Sequence, residues 1–233
     1  QSRSQLVSWP DKRLEDLSGQ VVLILGGDDY QEAVTFAERQ IQSGARVMLA
    51  FRNLNTVGHA RSLLQARNLD DVQLSHLDPL RRESVDRSMQ LMSDHFGRLD
   101  GVILLPQKPN GEYGYSLCTA NDEDVANFVR DEVVAPVAFA SSFARNMDRL
   151  FAEGEPPAIV YVTNPSDRHG NLMNEIIRAS VEALIRGWRH EDETLANAGD
   201  LTWAVQPNQM VRYDTEDDEA LTFAADWAAT LTN

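Results

Sequence analysis

The stretch VVLILGGDDYQEA (21–33) has the residue types that hold a phosphate: an apolar run, two glycines and the start of an amphipathic helix. Glycines there let the backbone turn tightly and approach a pyrophosphate, whose charge rests on the amides of the helix N-terminus. Gly26 and Gly27 supply the turn, but Asp28 and Asp29 follow, and the next glycine is Gly44. At about 5 Å and an effective dielectric of about 20, each carboxylate facing a phosphate charge costs on the order of 3 kcal/mol. Asp28 or Asp29 can equally cap the helix. The two roles are compatible, and both weaken a nucleotide-binding reading. Arg52, just past the second apolar run, stands where an arginine can meet a 2′-phosphate; the alternative is a surface arginine at a strand end.

Other reactive constellations fail on spacing. Ser166, Asp167 and His169 lie within four residues of one another, whereas triad members converge from separate segments. In WRHEDET (188–194), Thr194 stands where a zinc-binding His-Glu-x-x-His needs its second histidine. The histidines at 59, 76, 95, 169 and 190 are scattered, and the lone Cys118 adds no ligand pair. No metal site is expected.

These residues must be positioned by regular elements. Short β-rich runs at 21–25, 46–51, 72–77, 101–105, 158–163 and 201–206 alternate with helical patterns at 30–43, 54–68, 80–96, 122–147, 172–195 and 217–231. That alternation predicts βαβ units and a parallel sheet. The expected fold is α/β: a doubly wound, six-stranded, Rossmann-like sheet in three layers, αβα. Residues 1–18 are expected to form an N-terminal extension, and 19–233 a single domain. Ligands of such sheets bind at the carboxyl ends of the strands, which directs attention to the loops after residues 25, 51, 77, 105, 163 and 206.

The chain has 36 acidic and 21 basic residues and a net charge of −15. An acidic chain with two lysines, Lys12 and Lys108, is not expected to bind nucleic acid. No apolar run is long enough to span a bilayer, and the first twenty residues lack the apolar centre of a signal peptide. One cysteine excludes an internal disulfide and fits a reducing cytoplasm. The first residue is Gln1 rather than Met, which suggests a segment cut from something longer.

LSGQVVLILGG, RVMLAFRN, LDP (77–79) and HFGRLDGVILL (95–105) resemble the short-chain dehydrogenase/reductases. The chemistry implied by that resemblance needs a tyrosine and a lysine four residues later on one helix face. The lysine lowers the tyrosine pKa so that a proton can pass to the substrate carbonyl, helped by a serine and an asparagine. Four residues before the two lysines stand Ser8 and Leu104, so the pair is absent. Matched through NEIIRASVEALIRG (174–187), Asn174 falls at the tyrosine place and Arg178 at the lysine place. Thr163 or Asn164 falls at the serine place, and DEVV (131–134) where the asparagine is expected. A side-chain amide has no proton that titrates near neutrality, so ordinary reductase catalysis is not expected here.

RVMLAFRN, LIRGWRHEDE (184–193), WAVQPNQMVRY (203–213) and FAADWAATL (223–231) are more closely similar to bacterial bifunctional malonyl-CoA reductases. The likeness is to the second, degenerate reductase-like unit of their N-terminal half. It implies a non-catalytic domain supporting a catalytic unit that uses NADPH to carry malonyl-CoA through malonate semialdehyde to 3-hydroxypropionate. The resemblance leaves Gly26, Gly27, Asp28, Asp29, Arg52 and Asp78 as vestigial cofactor positions, with no cofactor expected for this domain and NADPH expected for the catalytic unit. The implied partner is that adjacent unit, met through helices near 122–147 and 172–190, with a homodimer possible for the excised chain. Apolar and small residues on more than one side of both helices agree with a covered second face. Arg186, Arg189 and His190 form a basic face that could meet an acidic partner or a CoA phosphate, or pair with Glu182, Glu191 or Glu193. Two other functions remain open: an atypical active NADP-dependent oxidoreductase using Arg178 and His169, and a nucleotide- or CoA-sensing domain.

Overall fold

The structure, a computed structural model, describes residues 17–105, 107, 119–150, 157–163, 176, 179, 180, 183, 211 and 212. The chain runs β1 (Val21–Gly26), α1 (Tyr30–Gln42), β2 (Arg46–Phe51), α2 (Leu54–Ala66), β3 (Gln73–His76), α3 (Arg82–Phe96) and β4 (Gly101–Leu104). A long helix follows as α4 (Asp122–Phe128), a π-helical segment (Val129–Val134) and α5 (Ala135–Leu150), and then come β5 (Ala158–Thr163) and β6 (Val211–Arg212). The six strands are parallel and ordered β3-β2-β1-β4-β5-β6. The order reverses between β1 and β4, which is where such a sheet opens a crevice at its carboxyl edge.

β1 is buried along its whole length, so its sequence is a continuous apolar run rather than an alternation. Val22 and Ile24 point to one core with Ala33, Phe36 and Ala37 of α1 and Ala60 and Leu64 of α2. Val21, Leu23 and Leu25 point to the other, with Met89 and Met92 of α3 and Phe128, Phe139 and Phe143 of the long helix. The expected three-layer αβα arrangement is therefore present. Fully buried rings such as Phe36, Phe51, Phe139 and Phe143 each contribute about 2 kcal/mol by removal from water. Leu17, placed by sequence in the extension, is buried in the first core and donates its N–H to Ser43 O at 2.7 Å.

One expected element lies outside the described residues, and one differs from the sequence expectation. The strand expected at 201–206 lies outside the described residues, and Val211–Arg212 pairs with β5. The helix expected at 122–147 is interrupted by the π-helical segment, which places Glu132 in the interior. Of the helix expected at 172–195, residues 176, 179, 180 and 183 are described, all helical, with Ile176 packed on the second core. Among the described residues, no helix is long and apolar enough to cross a membrane.

Candidate functional site: the cleft at the carboxyl ends of β1, β2 and β3

A cleft of about 490 Å³ opens at this edge, lined by Asp28, Arg52, Asn53, His76, Gln107 and Asp131 among others. On its β1 side, Gly26 ends the strand where a β-carbon would lie 2.4 Å from Phe51 Cε1 and 2.9 Å from Ala33 Cβ. Glycine is thus required by the packing of β1 against β2 and α1. The next loop is held in place by Asp28, whose N–H donates to Gln107 O at 2.8 Å.

Asp29 caps α1. Its Oδ1 accepts from the N–H of Gln31 at 2.9 Å and of Glu32 at 3.1 Å. These are the amides on which a pyrophosphate would rest, so the helix carries its own anion. Glu32, in the same turn, is pushed up to about 7, first by burial and then by the charge of Asp29. Of the two sequence readings of the aspartates, the cap is present and is formed by Asp29.

Arg52 follows β2 and is part-buried and ion-paired. Its Nη1 lies 2.5 Å from Asp131 Oδ1, and its Nε lies 3.5 Å from Asp78 Oδ1. Asp78, after β3, also meets Arg81 Nε at 3.4 Å. Its carboxylate accepts from Leu80 N–H at 3.1 Å, while its own N–H donates to Ser84 Oγ at 2.8 Å. Asp131 receives Arg130 as well, at 2.9 Å from Nε. Burial works against the Asp131 charge, but the hydrogen bonds from Arg130 and Arg52 outweigh it and hold the carboxyl below its usual value. His76 Nε2, 2.9 Å from Arg52 O, fixes the backbone of the same turn.

Sequence reasoning singled out Gly26, Gly27, Asp28, Asp29, Arg52 and Asp78, and the structure brings them to one edge of the sheet. Asp131 was legible only as part of DEVV; its pairing with Arg52 joins residues 79 positions apart, for which the sequence carries no local signal. Thr163 ends β5. Asn164, His169, Asn174 and Arg178 lie outside the described residues, as do Arg186, Arg189 and His190. Among the described residues, no three His, Cys, Asp or Glu side chains stand together as metal ligands.

The adenosine end of a dinucleotide fits this cleft, which has room and an arginine at the end of β2. The pyrophosphate contact on α1 does not fit, because Asp29 occupies it. The parallel order with β1 beside β4 and the cleft at the reversal are the architecture of a doubly wound, Rossmann-like sheet. The similarities among solved structures agree. No family model matches the chain, and no curated protein matches it. The N-domain of a bacterial malonyl-CoA reductase, solved with NADP, is similar at a TM-score of 0.81 and 25% identity, over 94% of this chain and 41% of that one. This chain therefore spans less than half of that N-domain. A short-chain dehydrogenase from Mycobacterium smegmatis matches at a TM-score of 0.67 and 20% identity, over 97% and 91% of the two chains. A metagenomic short-chain oxidoreductase in complex with NADP matches at 0.58 and 18%, over 94% and 92%.

The NADP-bound N-domain corrects one expectation, that no cofactor belongs to this domain. That inference rested on the Gly-Gly-Asp-Asp loop and on the resemblance to a degenerate reductase-like unit. The physical reason it fails is that a cap on α1 does not fill the cleft: the carboxyl ends of the strands still open on a space lined by Arg52, Asn53 and Gln107.

Proposed function

We propose that this chain is a reductase-like domain that takes NADP at the cleft, lacks the proton-transfer pair of a reductase, and supports the catalytic unit of an NADPH-dependent malonyl-CoA reductase. The single observation that carries the non-catalytic part is chemical. The chain has two lysines, Lys12 and Lys108, and neither follows a tyrosine by four residues. NADPH, when bound, supplies a hydride; a carbonyl accepting it also needs a proton, and the residue at the tyrosine place, Asn174, has none to give. Arg52 would meet the 2′-phosphate. The similarity to an NADP-bound malonyl-CoA reductase N-domain supports both the cofactor and the parent enzyme.

The partner is the adjacent catalytic unit, met through helices near 122–147 and 172–190. Val129, Val134 and Val137 support this reading, since they stand exposed on the long helix, as do the exposed Ala179 and Ala183 on the later one. Excised, the chain would pair with itself through the same face. It acts as one domain in the cytoplasm, with Leu17 already part of its core. The test is NADPH oxidation with malonate semialdehyde, by this chain alone and by the chain joined to its neighbouring unit. Turnover is expected only from the joined protein, and turnover by this chain alone overturns the reading.

A further inference from the structure

We propose that Asp131 is a specificity-determining residue of the cleft: it occupies Arg52 as a ligand phosphate would, so that a 2′-phosphorylated adenosine binds only by displacing it. This rests on the cleft being the NADP site.

Arginine recognises phosphate through paired N–H donors held in one plane. In Arg52 the Nη1 corner is given to Asp131 and the Nε edge faces Asp78. Both carboxylates belong to the chain itself, and Asp131 comes from a different layer of the fold, the π-helical segment of the long helix. Its side chain is 15% exposed and Arg52's is 28% exposed, so the pair sits at the wall of an open cleft and within reach of a ligand. Arg130 grips the same carboxylate at 2.9 and 3.3 Å, which holds it in place and charged. Two guanidiniums thus share one acceptor. Removing that acceptor leaves Arg52 facing the cleft, with Asp78 as the only other carboxylate described as meeting it.

The contribution is selective by chemistry. Asp131 competes with the phosphate on the ribose 2′ position, so it acts on ligands that carry that phosphate and leaves others unchanged. Adenosine 2′,5′-bisphosphate and adenosine 5′-monophosphate isolate this difference, because neither carries the pyrophosphate that would meet Asp29.

The experiment is calorimetric titration of the full chain, as wild type, Asp131→Asn, Asp131→Ser and Arg52→Ala, with each of the two nucleotides. Circular dichroism and thermal unfolding establish that each variant is folded, and Asp131→Ser serves if Asp131→Asn does not fold. Exchanging a charged partner for a neutral one should tighten adenosine 2′,5′-bisphosphate about tenfold, with the monophosphate changed less than about twofold. Arg52→Ala should erase the preference for the bisphosphate. If wild type prefers the bisphosphate, Arg52→Ala abolishes the preference and the Asp131 variants equal wild type, the role given to Asp131 is overturned while the NADP site stands. If no folded protein distinguishes the two nucleotides, the site and the role of Asp131 fall together.

Discussion

The ring edge of Phe51 stands where a side chain on Gly26 would begin, 2.4 Å from the place of a β-carbon. The first glycine of the loop is therefore fixed by three elements closing on one point: the end of β1, the end of β2 and Ala33 of α1. Phe51 and Ala33 are both fully buried in the same core, so neither neighbour can give way cheaply. Gly26→Ala should lower the unfolding free energy by about 1–3 kcal/mol, the range for overpacking a filled core. Urea unfolding measures it. Adding Phe51→Leu to Gly26→Ala should recover part of the loss, because the ring causes it; an additive double variant would place the strain elsewhere.

Asp29 does two things at once, so its removal should separate them. Asp29→Ala takes the cap from α1 and should cost about 1 kcal/mol of stability. It also frees the Gln31 and Glu32 amides and removes a charge from the phosphate seat, so NADP should bind more tightly. Urea unfolding and calorimetry on the same preparation read both. Lower stability with unchanged NADP affinity would mean that the pyrophosphate is held away from α1.

Glu32 gives this turn a pH dependence. Its folded value is raised to about 7 from an unfolded 4.5, by burial and then by Asp29. A raised value means that the folded state binds the proton more tightly than the unfolded chain. The associated stability is complete below about pH 4.5 and is lost as pH rises through 7. Glu32→Gln, which cannot ionise, should match the parent near pH 4.5 and exceed it by about 2 kcal/mol at pH 8. The quantity to follow is the difference between the two proteins in urea unfolding at each pH, since other carboxylates titrate in both. An equal difference at both values would remove Glu32 as its source.

What was legible in the sequence follows from how local each cause is. β1 and β2 are written as unbroken apolar runs because both faces are covered. The cap at Asp29 is written as an aspartate two and three residues before the amides it serves. Asp131 was not legible as a partner for Arg52, because that contact depends on how the long helix crosses the sheet. The π-helical segment was hidden for a related reason: it buries Glu132, whose type predicts a solvent-facing position. The cofactor expectation gave the Gly-Gly-Asp-Asp loop the most weight, whereas the cleft is also lined by residues after β2, by His76 of β3, by Gln107 after β4 and by Asp131 of the long helix.

The exposed valines of the long helix give the last prediction. Val134 and Val137 are 45% and 48% exposed, three residues apart and therefore neighbours on the helix surface. Val129 lies earlier on the same helix and is also exposed. Val137→Glu leaves the buried Phe139 and Phe143 untouched, so unfolding should shift by less than about 0.5 kcal/mol. At a packed interface the same charge is desolvated without a partner, which costs several kcal/mol. Association with the adjacent catalytic unit should therefore weaken at least about a hundredfold, equal to about 2.7 kcal/mol. Size-exclusion light scattering of mixtures of the two units reads the change directly. A variant that stays folded and pairs like wild type would remove this helix from the seam and leave residues 172–190 to carry it.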